Sequence, residues 1–134
     1  MTRVVSVLVL MMTMAVLAAE KPTAEYVALM RDTAAANTAM RQAIEAKDAA
    51  RIGREAARLR GLLVDTEKFW AARQAADAVK SAKDGQDAAA AVEAAAAKDE
   101  AAAIAAALPA IGASCSSCHA AHRERLADGT YEVK

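Results

Sequence analysis

In Cys115-Ser116-Ser117-Cys118-His119, two sulfurs and an imidazole fall within reach of one another, and no other spacing in this 134-residue chain allows that. A separation of three residues puts the two thiols on one side of a helix, about one turn apart. His119 follows Cys115 at i+4, on nearly the same face. Thiols so placed can add across the two vinyl groups of a haem. The imidazole can then turn under the ring and bind iron from the proximal side. The pattern C-x-x-C-H is the sequence mark of such covalent attachment. Three other chemistries compete for the same residues. A dithiol redox pair expects a β-α-β setting, and the sequence offers no strand near it. Zinc could draw on Cys115, Cys118, His119 and His122, but four donors within eight residues of one helix do not easily surround a tetrahedral metal. A structural disulfide would need only the cysteines and leave His119 without a role.

The N-terminus bears on that choice. Arg3 precedes an almost wholly apolar run, Val4 to Leu17, and the small residues Ala18 and Ala19 follow. A charged start, an apolar middle and a small-residue cleavage site read as a secretory signal over residues 1–19, cleaved after Ala18 or Ala19. The remaining residues, 20–134, make one domain. The fourteen apolar-run residues fall short of the ~20 that a spanning helix needs, so no membrane anchor is expected after cleavage. Export agrees with a haem motif, because c-type haem is attached outside the bacterial cytoplasm; the expected location is the periplasm. Formal net charge is zero, which gives no reason to expect nucleic acid or an anionic membrane surface as a partner. Cleavage also removes Met1, Met11, Met12 and Met14. Met30, Met40, His119 and His122 are what remain to complete an iron site.

The elements that position the motif read as helices. Forty residues are Ala, the best helix former, while large apolar side chains are few. Such a chain buries little apolar area by itself, and a large flat cofactor would supply the missing core. Thr23 is the expected N-cap of a first helix whose inward stripe is Tyr26, Met30, Thr33, Asn37, Met40 and Ile44. Asp48 caps a second, with Ile52, Ala56, Leu59, Leu63, Thr66 and Trp70 inward and a charged outer face. A third runs from about Asp77 to Ala97, through Asp84-Gly85. The last begins near Asp99, is kinked by Pro109, and carries Ile104, Leu108, Ile111, Cys115, Cys118, His122 and Leu126 on one stripe, ending at Asp128-Gly129. Four helices on short turns predict an all-α, antiparallel up-and-down four-helix bundle with the covalent haem inside, toward one end. Antiparallel register puts the motif level with Thr33 of the first helix. Met30 is then displaced by ~4–5 Å along the axis and Met40 by ~10 Å, at 1.5 Å per residue. Met30 is favoured over Met40 or an empty sixth position. His122 shares a helix with His119 and cannot reach the opposite face of the ring.

These features together resemble the class II cytochromes c, cytochrome c-prime and its low-spin, Met-ligated relatives. Cys115 to Arg123 is similar to the family's C-x-x-C-H-x-x-aromatic-Arg, with His122 in the aromatic place. Phe69-Trp70-Ala71-Ala72-Arg73 resembles the aromatic-Trp-Ala-x-Arg segment before the third helix of Met-ligated members. Leu29-Met30-Arg31-Asp32 resembles the first-helix segment that supplies the distal residue. The resemblance implies His119 as proximal and Met30 as distal iron ligand, with Cys115 and Cys118 holding the haem. Arg123 could bond a propionate, a plain surface role being the alternative. It implies a periplasmic electron carrier, not an enzyme, serving redox partner proteins; the five-coordinate branch, which binds nitric oxide or carbon monoxide, is the alternative. Homodimers are common in the family, and the charged second helix with its sparse core permits one without demanding it.

Overall fold

A computed structural model describes residues 19–134; the expected signal peptide lies outside them except for Ala19. Four helices follow in order: α1 (Ala24–Glu45), α2 (Ala49–Ala72), α3 (Ala76–Ala96) and α4 (Ala101–His122). Cross-helix contacts fix the register. Tyr26 of α1 stacks on Phe69 of α2, Arg60 of α2 bonds Glu93 of α3, and Ser81 of α3 bonds Ser117 of α4. Early residues of α1 and α3 meet late residues of α2 and α4, and α2 and α3 run opposite ways, since Glu67 of α2 meets Gln86 while the earlier Arg60 meets the later Glu93, so the bundle is antiparallel and up-and-down.

The three reversals share one solution. At each helix end a residue with positive φ turns the chain: Lys47 (55°), Gln74 (56°) and Asp99 (55°). The N–H beyond it then reaches back five residues, from Asp48 to Ala43 O, Ala75 to Trp70 O and Glu100 to Ala95 O, at 2.9–3.2 Å. This is the Schellman closure, which satisfies carbonyls a helix end would leave bare. Thr23 and Asp48 cap α1 and α2 as expected, accepting from the N–H of Tyr26 and of Arg51.

Helix α2 buries the six residues its periodicity predicts. Helix α3 runs unbroken through Gly85, and its buried face is built almost entirely of Ala. Helix α1 departs from expectation. Tyr26, Thr33, Ala36, Met40 and Ala43 are buried, while Met30, Asn37 and Ile44 are only partly so. The reason is the packing order. Helix α1 packs on α2, α2 on α3 and α3 on α4, but α1 and α4 do not approach closely backbone to backbone. One flank of α1 therefore faces the core and the other faces an open groove.

The C-terminus corrects the sequence reading. Helix α4 stops at His122, and Leu126 is not on it. Arg123–Arg125 (β1) and Tyr131–Val133 (β2) pair antiparallel. Asp128-Gly129 is the hairpin turn rather than a helix end: Gly129 sits at φ 85°, and Asp128 Oδ1 accepts from Thr130 N–H and Oγ1. On the far edge of β2, Glu20 exchanges two 2.8 Å backbone bonds with Val133. The Glu20 carboxylate also accepts from Arg73 at 2.8 Å. Pro109 lies within α4, which continues on both sides of it.

Candidate functional site

The groove between α1 and α4 holds two adjoining cavities. The first, about 210 Å³, lies toward the hairpin end between Tyr26, Val27, Met30, Trp70 and the strand residues Tyr131 to Val133. The second, about 190 Å³, lies deeper in the bundle between Thr33, Asn37, Leu63, Thr66, Ser114 and Cys115. Four residues border both: Met30 and Ala34 from α1, Cys118 and His119 from α4. The motif and Met30 therefore face each other across one continuous space. Met40, by contrast, is fully buried in the core with Ala36, Leu59 and Ile111 and borders neither cavity.

Both cysteines are free and half-buried. Ser114, not a cysteine, takes the buried place at this level of α4. It can do so because Gly85 leaves room: a Cβ there would lie 2.7 Å from Ser114 Oγ. Burial pushes the Cys118 thiol up to about 11, with Asp77 and Cys115 adding to the effect. Burial also lowers the His119 pKa, helped by the Arg123 charge. That favours the neutral imidazole, the form that binds metal. Among the described residues no three His, Cys, Asp or Glu side chains converge as a metal-binding group.

The polar residues facing the second cavity are mostly spent on their own helices. Thr33 and Thr66 donate to carbonyls four residues back, and Ser114 to the one three back. Asn37 is different: its Oδ1 is buried with no hydrogen-bond partner. An orphaned carboxamide beside an otherwise apolar wall, two free thiols, an imidazole and a thioether across the groove make a set that fits a large, flat, mainly apolar group with polar ends.

Around the first cavity the sequence reading was incomplete. All four aromatic residues gather at this end. Tyr26 and Phe69 stack with centroids 3.8 Å apart, Trp70 meets both edge-on, and Arg73 lies 3.7 Å over the Phe69 ring. Burial raises the Tyr26 phenol to about 12. Arg123 lies 4.2 Å over the Tyr131 ring, at the mouth of the cavity. His122 packs against Trp70 at 4.6 Å. Its Nε2 meets Asp77 Oδ2 and its Nδ1 the Lys134 main-chain oxygen, both at 2.8 Å. That role needed the hairpin, which no periodicity announced.

The architecture is that of a four-helix bundle with an open fourth side. No family model, curated protein or solved structure matched the chain.

Proposed function

We propose that this chain is a periplasmic monohaem c-type cytochrome that carries single electrons between redox partner proteins. The observation that carries the reading is the opposition, across one groove, of the Cys115-x-x-Cys118-His119 motif and Met30. Cys115 and Cys118 would hold the haem through thioether bonds, with His119 on one side and Met30 on the other. Arg123, held over Tyr131 at the mouth, is within the same cavity wall and would serve a propionate. When bound, the haem supplies one-electron Fe(II)/Fe(III) chemistry, and a thioether ligand favours the reduced form. The chain does the rest: α4 fixes the thiols and the imidazole on one face, α1 presents Met30, and the aromatic cluster keeps water from one end. We read it as a carrier, not an enzyme.

A second reading draws on the cavity space on both sides of Met30. If Met30 stays off the iron, the same pocket is that of a five-coordinate c-prime-type protein binding nitric oxide or carbon monoxide. The absorption spectrum of the purified protein, oxidised and reduced, with and without carbon monoxide, separates the two. A low-spin spectrum with a weak Met-to-iron band, lost in Met30→Ala and little changed by carbon monoxide, supports the carrier. A high-spin spectrum that shifts at once with carbon monoxide supports the second reading. A colourless protein from a host competent in haem attachment refutes both.

A further inference from the structure

Three wall residues of the first cavity, Tyr131, Glu132 and Val133, belong to β2. That strand is held by β1 on one edge and by Glu20 on the other. Its end is held by His122, whose main-chain oxygen accepts from Lys134 N–H at 3.1 Å and whose Nδ1 lies 2.8 Å from the Lys134 main-chain oxygen. The other ring nitrogen lies 2.8 Å from Asp77 Oδ2 on α3. Val27 and Tyr131, large apolar residues that stay exposed at 52% and 38%, both border this cavity.

We propose that the C-terminal strand is a pH-gated strap over the first cavity, held shut by His122 in its doubly protonated form. The argument is one of donors and acceptors. A carboxylate and a main-chain oxygen can only accept, so both 2.8 Å bonds are made only when both ring nitrogens carry a proton. A neutral imidazole has one N–H and one lone pair. On losing a proton, His122 must turn a lone pair toward one of the two oxygens, and that tether is lost. The strap is therefore closed on the acid side and loosens as pH rises.

The surroundings agree. Asp77 is held below the usual carboxylate range, chiefly by the His122 hydrogen bond, so it stays an acceptor across the interval. The other titratable or charged groups bordering the cavity are Tyr26 from α1, Cys118, His119 and Arg123 from α4, and Glu132 from the strap. Helix α2 offers the uncharged Trp70 ring, while its Arg73 is engaged by Glu20. Asp77 is the side-chain carboxylate bonded to the ring, and Lys134, whose main-chain oxygen lies at Nδ1, pairs its ammonium with Glu124 of β1.

Nitrogen-15 NMR of the purified chain labelled at histidine, which reads the protonation of both His122 nitrogens directly, tests this together with amide exchange of Val133 and Lys134 as pH is raised. On the acid side both His122 nitrogens should carry protons and both amides be protected. As His122 loses its proton, protection should fall roughly ten- to hundredfold, the size of one lost charge-assisted hydrogen bond. His122→Phe keeps a ring against Trp70 but ends both tethers, and should give low protection at every pH. Asp77→Asn, at an exposed position, is the second variant should His122→Phe fail to fold: its amide accepts from a charged ring and donates to a neutral one, so protection should persist as pH rises. In the unsubstituted protein, protection indifferent to the state of His122, or a neutral ring while the strap is protected, overturns the proposal. A colourless protein would sink the haem reading and leave this one standing.

Discussion

Gly85 is where α3 presses against α4, one residue before the first motif cysteine. Substituting Ala there sets two effects against each other. Ala in place of Gly in a helix interior gains about 1 kcal/mol in propensity. The added Cβ, however, would lie 2.7 Å from Ser114 Oγ and 3.0 Å from Leu63 Cδ1. Ser114 cannot yield freely, because it is buried and donates to Ile111 O at 2.9 Å. Overpacking of this kind costs about 1–3 kcal/mol, a figure that includes about 1 kcal/mol of hydrogen bonding lost if Ser114 turns away. The expected net for Gly85→Ala is a destabilisation of about 0–2 kcal/mol. In a Ser114→Ala background the closest contact is gone, while the Leu63 contact is common to both backgrounds. The same substitution should then recover most of its propensity gain, leaving a coupling of about 1–3 kcal/mol between the two sites. Urea unfolding of the four proteins, followed by helical circular dichroism, measures it. A Gly85→Ala protein stabilised by about 1 kcal/mol with Ser114 in place, and strict additivity in the double mutant, would refute the close approach of α3 and α4.

Two further substitutions report on the turns and the aromatic end. Gln74, exposed and held at φ 56°, occupies the place that glycine favours, so Gln74→Gly should raise stability by about 0.5–1 kcal/mol, read as an increase in Tm; a lower Tm would count against that turn geometry. Tyr26 has its phenol raised to about 12 by burial, so the folded state keeps a proton that the unfolded chain gives up near pH 10. Its contribution is intact below about pH 10 and is lost as pH rises toward 12. In Tyr131→Phe, phenolate absorbance should therefore lag well above pH 10 and appear together with unfolding; a titration centred near pH 10 in the folded protein would contradict the burial of Tyr26.

Where the period of the apolar residues had one helix neighbour on each side to satisfy, the sequence was legible. Helix α2 is central to the packing order, and its six inward residues are the six that are buried. Asp48 and Thr23 were readable as caps because a short oxygen-bearing side chain before an Ala-rich run has a local job. Met30, the favoured distal ligand, and Asn37 stand on the inward stripe, and periodicity cannot reveal that they would be only partly buried, because α1 has only one close helix neighbour. The hairpin was missed because strands of three residues carry no period. Asp128-Gly129, a strong turn signal, was absorbed into the end of a helix that seemed to run on through Leu126. His122 then looked like a motif neighbour with little to do, because Asp77 is 45 residues away in sequence and meets it only through the α3–α4 register.

The packing order also has a kinetic meaning. Each helix exchanges its close backbone contacts with the helix next to it in sequence, so the chain has low contact order and most of its structure can form by local steps, on a timescale of roughly microseconds to milliseconds. The Glu20–Val133 bridge is the exception, joining residues more than a hundred positions apart. Because that closure gains nothing until all three helix turns have reversed the chain, it should form last. Its appearance would mark the completed bundle in a refolding experiment.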